Sequence, residues 1–114
     1  MIFVFGSNRQ GRHGKGAALT AVQKYGAIYG QAKGLQGDSY AIVTKELRHG
    51  YQPVTLEEVR AQIRKLCQYA EEHPDRHFFI TKIGCGLAGF DEEDIKKEFI
   101  ASPSNFILPE GWGK

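Results

Sequence analysis

Apolar residues fall along this chain in short blocks whose spacing changes from one block to the next. Ile2-Phe3-Val4-Phe5 is a continuous apolar run ended by Gly6, the pattern of a strand buried on both faces. After a glycine-rich stretch, Ala17, Ala18, Leu19, Ala21, Val22 and Tyr25 recur at helical spacing, and Gly26 is placed to end that helix. Gly26 to Gly37 carries Tyr29, Lys33 and Leu35 among glycines and predicts an ordered loop or a short hairpin, with Tyr40-Ala41-Ile42-Val43 as the next strand. From Val54 the pattern is sharpest. Thr55 can cap a helix with Glu58 three residues on, and Val54 can staple to Val59. Leu56, Val59, Ile63, Leu66, Cys67 and Ala70 then form one apolar stripe to about Glu72, before Pro74, so this helix is a packing element. His77 to Ile83 predicts a strand, Asp91 the cap of a short helix, and Asn105-Phe106-Ile107-Leu108 a last strand closed by Pro109 and Trp112. Strands alternating with helices predict an α/β sandwich with a mostly parallel sheet. No linker, repeat or low-complexity tract divides residues 1–114, so a single domain is expected.

Two glycine-rich loops stand out. Gly6-Ser7-Asn8-Arg9-Gln10-Gly11-Arg12-His13-Gly14-Lys15-Gly16 and Gly84-Cys85-Gly86-Leu87-Ala88-Gly89 each follow an expected strand and each open a segment expected to be helical. Glycine lets the backbone approach a ligand without interference from Cβ, and the first free N–H groups of a following helix face an anion placed there. Two such loops on neighbouring parallel strands could hold a diphosphate, which points to a nucleotide-diphosphate ligand such as ADP-ribose or a dinucleotide. The second loop matches G-x-G-x-x-G, but only one further strand follows it, so the paired mononucleotide halves that hold NAD are incomplete. The first loop fails as a Walker A motif, because Arg12-His13 stands where Lys-Ser/Thr is needed.

Composition narrows the picture. At 114 residues, 41% apolar and 25% charged, the chain can build a core without staples, and a net charge of +2 is not that of a surface built for duplex nucleic acid. The positive charge is local, with Arg9, Arg12, His13 and Lys15 all in the first loop. Arg9, Arg12, Lys15 and Lys24 admit, as a third and less favoured reading, a small nucleic-acid-binding surface, but the sequence shows no aromatic platform among them. Cys67 and Cys85 make no CxxC or Cys/His ligand spacing, so neither a disulfide nor a metal is expected, and a reducing cytoplasm fits. There is no leader-like or long apolar run, so neither export nor membrane association is expected. No cofactor is implied.

Several side chains in these loops admit a chemical and a structural role. Asn8, just past a buried strand, can hydrogen-bond a ribose hydroxyl, or its amide can satisfy a local turn. His13 is a candidate base or ribose contact, but without a carboxylate partner a histidine in a glycine-rich loop reads as solvated. Cys85 sits where a helix N-terminus would lower a thiol pKa, but no His-Asp pair accompanies it, so it reads as a small buried residue between glycines. Lys15 either neutralises phosphate or faces water. Glu92, Glu93 and Asp94 are acids placed for the helix dipole.

Three blocks in order resemble macrodomains: Asn8-Arg9-Gln10-Gly11-Arg12-His13-Gly14-Lys15-Gly16-Ala17-Ala18-Leu19, then Ile42-Val43-Thr44-Lys45, then Ile83-Gly84-Cys85-Gly86-Leu87-Ala88-Gly89-Phe90-Asp91. The similarity spans nearly the whole chain. It is greatest to the branch that includes the terminal ADP-ribose glycohydrolase and the antitoxins that remove ADP-ribose from DNA, and small bacterial and phage proteins carry similar segments. The resemblance implies a compact three-layer macrodomain-like sandwich that binds ADP-ribose. It implies that Asn8 contacts the distal ribose near the scissile bond, with Ser7 and His13 as further ligand contacts. It also implies that Gly14, Lys15 and Gly16 pass along that ribose and its phosphate, and that Gly84, Cys85, Gly86, Leu87, Ala88, Gly89 and Phe90 wrap the diphosphate. Lys33 lies twelve residues before Lys45, the spacing at which that branch places its catalytic lysine. Its amine, if uncharged, can attack the anomeric carbon as a Schiff-base nucleophile, with Asn8 as its catalytic companion. Two departures qualify this. Ala88 stands where the protein-directed glycohydrolase has an aspartate, which the DNA-directed relatives also lack. The first strand here corresponds to the second of larger macrodomains, so their adenine-binding aspartate has no counterpart, and adenine selectivity is not implied. The expectation is ADP-ribose binding with removal of ADP-ribose from DNA or protein; the alternative is a non-catalytic reader or sequestering module.

Overall fold

The computed structural model describes residues 1–48, 52–86 and 88–112. Elements follow in the order β1 (Ile2–Asn8), α1 (Gly16–Lys24), β2 (Gly34–Gln36), β3 (Ser39–Glu46), β4 (Gln52–Pro53), α2 (Leu56–Glu72), β5 (Phe78–Ile80), α3 (Glu92–Lys96) and β6 (Phe106–Ile107), with a 3-10 turn over Lys97–Phe99 after α3. Strand β1 lies at the centre. It pairs in parallel with β3 on one side and with β5 on the other, and β6 continues in parallel beyond β5. The Gly26 to Gly37 stretch, expected as an ordered loop or a short hairpin, is a loop that ends in β2; β2 pairs antiparallel with β3, in the sheet order β2-β3-β1-β5-β6, and β4 pairs antiparallel with the far end of β3. Between β2 and β4 the outer edge of β3 is completed by a side chain. The Gln62 amide accepts from the Val43 N–H at 2.7 Å and donates to the Val43 carbonyl at 2.8 Å, taking the place of a strand residue.

Alternation along β1 sorts the core into two faces. Ile2 and Val4 pack with Ile42, Phe78, Ile80 and the α2 residues Val59, Ile63 and Leu66, while Phe3 and Phe5 pack with Ala41 and the α1 residues Ala18 and Ala21. Helices therefore cover both faces of a mostly parallel sheet. Each fully buried Ile, Leu or Phe contributes roughly 1.5–3 kcal/mol relative to exposure.

The helix ends follow local chemistry. Gly26, at φ +73°, stops α1 as expected. Thr55 Oγ1 accepts from the Glu58 N–H at 3.1 Å, but the Glu58 carboxylate reaches Arg9 at 2.7 Å instead of returning to the cap. The other end of α2 is held by buried Asn105, whose Nδ2 lies 3.0 Å from the Ala70, 3.2 Å from the His73 and 2.9 Å from the Arg76 carbonyl oxygen.

Two expectations are corrected. The strand expected over His77 to Ile83 is only Phe78–Ile80, because the chain turns tightly at Thr81, with the Ile83 N–H bonded to the Thr81 carbonyl at 2.8 Å. The second glycine loop does not open directly into a helix. Helix α3 begins at Glu92, spans five residues and is capped by Asp91, whose carboxylate accepts from the Glu93 N–H. Among the described residues, no helix is long and apolar enough to cross a membrane, and Cys67 and Cys85 are both free thiols.

The Asn105 clamp is testable. Asn105→Ala leaves buried carbonyls without their donor and is expected to cost about 2–3 kcal/mol, against about 1 kcal/mol for Thr55→Ala at the exposed cap. Urea unfolding of both variants measures this; a smaller loss for Asn105→Ala than for Thr55→Ala would show that α2 is not anchored there.

Candidate functional site

The parallel strands β3, β1 and β5 end on the same side of the sheet. From β1 the chain leaves for α1 on the Phe3/Phe5 face, whereas after β5 it leads to α3, whose Ile95 packs on the Ile2/Val4 face. Adjacent strands whose connections depart to opposite faces open a crevice beyond their carboxyl ends, where open α/β sheets hold their ligands. A cavity of about 550 Å³ lies there, within the size range of small-molecule sites. Its walls are Gly6, Ser7 and Asn8 at the end of β1, Thr44 and Lys45 on β3, Thr81 and Lys82 after β5, Gly84, Gly86 and Ala88 of the second loop, and Gly14 to Ala18 at the start of α1.

Two threonines shape the mouth between the strands. The Thr44 hydroxyl donates to the Ser7 carbonyl at 3.1 Å, and the Thr81 hydroxyl donates to the Val4 carbonyl at 2.7 Å. At Thr44 the ladder slips, so that Ser7 lies opposite Val43 but Asn8 opposite Lys45. The second loop presses against this end of β1: a Cβ on Gly6 would stand 3.4 Å from the Gly84 nitrogen, and one on Gly84, at φ +75°, would stand 3.0 Å from the Phe90 ring.

The electrostatics have one sign. Arg12, Lys15, Lys45 and Lys82 line the cavity, and no Asp or Glu does among the described lining residues. Burial holds the Lys45 ammonium below the usual lysine pKa, and the charge of Lys15 adds to that. Lys82 shares its charge with Glu92 at 3.5 Å. Helix α1 contributes its positive end, for its N-cap is Lys15, which makes no side-chain cap bond, and its first turn holds no acid. Its leading N–H groups are therefore uncapped by side chains at the cavity wall. Among the described residues, no cluster of His, Cys, Asp and Glu could hold a metal ion.

The structure brings Ser7, Asn8, Gly14, Lys15, Gly16, Gly84, Gly86 and Ala88 to this cavity. Asn8 is buried, and its amide both donates to the Arg12 carbonyl and accepts from the Arg12 N–H, each at 2.9 Å. It thus forms the local turn, with one amide hydrogen and one lone pair remaining for a ligand. The Ser7 hydroxyl donates to the Ala32 carbonyl. Gly89 and Phe90 lie outside the lining, and Leu87 lies outside the described residues.

His13 is corrected from solvated to buried, at 1% exposure. Its ring meets Phe5 edge-on at 5.2 Å, its Nε2 lies 3.0 Å from the Gln31 carbonyl oxygen, and its Nδ1 is buried without a partner. The cause is a close approach of two turns: a Cβ on Gly11 would fall 2.5 Å from the Gly30 carbonyl carbon. The residue therefore ties the first loop to the segment before β2. Cys85 is half-buried outside the cavity lining, with its thiol donating to the Ile83 carbonyl at 3.4 Å. Burial, then Glu92, pushes its pKa up, away from a thiolate nucleophile. Lys33 is exposed and lines a separate hollow of about 250 Å³ with Arg9, Val43, Glu58 and Gln62, so it is not assembled with Asn8.

Among the lining residues not singled out as site residues from the sequence are Lys45, Lys82, Arg12 and Tyr29. A signal for the two lysines exists, since each follows a threonine directly after an apolar run, in Ile42-Val43-Thr44-Lys45 and Phe79-Ile80-Thr81-Lys82. Tyr29 supplies the aromatic group that the sequence order hid among the cations.

No family model matches this chain, and no curated protein matches it. Solved structures do. A protein of unknown function from Bacteroides thetaiotaomicron superposes with a TM-score of 0.59 at 18% identity, over 86% of this chain and 76% of its own. A crystal structure of a protein from the same organism superposes with a TM-score of 0.60 at 19% identity, over 86% of this chain and 78% of its own. At these identities the likeness establishes the fold alone.

An anion held at this wall would show a signed pH dependence of binding. Lys45 supplies its charge below its own pKa and loses it as pH rises through that value; because this pKa is lowered, pyrophosphate affinity is expected to fall at a lower pH than an exposed lysine, near 10.4, would dictate. Calorimetry from neutral to alkaline pH checks this, and Lys45→Gln should remove the early part of the fall. Wild type and variant falling in parallel would exclude Lys45.

Proposed function

We propose that the cavity binds a nucleotide diphosphate, with ADP-ribose favoured by the resemblance to macrodomains, and that the α/β fold is a compact three-layer macrodomain-like sandwich. The observation that carries this is a cavity at the strand switch point lined by four cations and no described carboxylate, with an uncapped helix end in its wall. A diphosphate is matched by such a wall, and Gly84 and Gly86 allow the second loop to approach it. The remaining amide hydrogen and lone pair of Asn8 suit a ribose hydroxyl. ADP-ribosylated DNA or protein would engage the cavity through the same group.

Binding is supported more directly than turnover. A reader or sequestering module uses the cavity as it stands, whereas hydrolysis through Lys33 requires that amine to leave its separate hollow for the anomeric carbon. Lys33→Ala is therefore expected to leave ADP-ribose affinity within about twofold of wild type. Release of ADP-ribose from a modified oligonucleotide, together with borohydride trapping, tests the hydrolytic form; a trapped adduct at Lys33 would establish it and displace the reader.

Calorimetry with ADP-ribose, AMP and NAD side by side tests the binding itself. A Cβ on Gly86 meets nothing within 4 Å, so Gly86→Val is expected to fold, yet to lose at least about tenfold in ADP-ribose affinity, or roughly 1.4 kcal/mol. Unchanged affinity in the folded variant would remove the second loop from the diphosphate site.

A further inference from the structure

We infer that Tyr29 is a stacking platform for the ligand's base, and that the cavity selects the diphosphate while tolerating any base. Its ligand class is then nucleoside diphosphates and their sugar conjugates in general. This rests on the diphosphate reading above.

Tyr29 lines the cavity although the residue is 63% exposed. An aromatic ring left that open gains little from packing, but the backbone on either side of it is hydrogen-bonded. The Gly30 N–H donates to the Gly11 carbonyl at 2.8 Å, the Gln31 N–H to the Ile28 carbonyl at 3.0 Å, and the Ile28 N–H to Gln36 Oε1 at 2.9 Å. The ring also contacts buried His13 at 6.3 Å and 73°. A platform whose backbone is positioned before the ligand arrives has only side-chain freedom to lose on binding.

Hydrogen-bonded reading of the base is poorly provided for. The described lining has no Asp or Glu to accept from an exocyclic amine. The Thr44 and Thr81 hydroxyl hydrogens are committed to β1 carbonyls, and what Arg12 leaves of the Asn8 amide is assigned above to the ribose. Stacking remains, and every base has a π-face. The cations read the phosphates and Tyr29 reads planarity.

Calorimetry with ADP, GDP, UDP, CDP and inorganic pyrophosphate tests this on wild type, Tyr29→Ala and Tyr29→Phe. The four nucleotides are expected to bind wild type within about tenfold of one another. Tyr29→Ala should weaken all of them by about 5- to 150-fold while leaving pyrophosphate unchanged, and Tyr29→Phe should retain wild-type affinity. Binding of ADP alone overturns base tolerance while leaving the diphosphate site standing. Equal weakening of pyrophosphate, or no weakening of nucleotides, overturns the platform. Failure of pyrophosphate and of every nucleotide to bind wild type defeats the diphosphate reading itself, and this inference with it.

Discussion

The central place of β1, paired in parallel along both edges, is the constraint on which the rest depends. A strand so placed must satisfy its backbone groups from its neighbours, and at its carboxyl end those neighbours part. Thr44 and Thr81 manage the parting, for their hydroxyls donate to β1 carbonyls from opposite sides. The ladder can therefore slip on one side and turn away on the other without orphaning β1. The space that opens is the cavity, and Lys45 and Lys82 enter its lining because each directly follows one of these threonines.

A group of cations around one cavity is self-repelling, and the fold relieves this with carboxylates placed outside it. Arg9 belongs to the same glycine loop as Arg12 and Lys15 but reaches away to Glu58 at 2.7 Å and Glu46 at 3.5 Å. These exposed pairs are worth little individually. Their effect is to divide the loop's charges between those that hold its position and those that face the cavity. Lys82, drawn toward Glu92, lies between the two groups.

How much could be read in advance depended on how local the determining physics is. Helix α2 was legible almost residue for residue, since its cap and its apolar stripe are written within one segment; Val59, Ile63, Leu66 and Ala70 are its buried residues. The Gly26 stop was legible for the same reason. Strand β5 was overextended because an apolar run carries no mark of where its partner's hydrogen bonds run out, and here they end beside Val4. His13 was misplaced because its burial comes from contact between turns around Gly11 and Gly30, far apart in sequence. The cavity cations required the parallel pairing itself, which alone sets Thr44-Lys45 and Thr81-Lys82 on either side of β1.

The three helices differ at their N-termini in a way that bears on function. Helix α2 is capped by Thr55 with Glu57 and Glu58 in its first turn, and α3 by Asp91 with Glu92, Glu93 and Asp94. Helix α1 has Lys15 at its cap position and no acid at all in its first turn. A side-chain cap is worth about 1 kcal/mol, and an acid in the first turn a further few tenths to 1 kcal/mol. The chain thus takes that stabilisation at both helices whose ends lie outside the cavity and forgoes it at the one whose end forms the cavity wall. Packing does not explain the exception, because a small polar cap at residue 15, exposed as it is, would cost the core nothing. An anion of the kind proposed for the cavity would supply what the cap omits: it would accept from the leading N–H groups of α1 and meet the positive end of the helix beside Lys15.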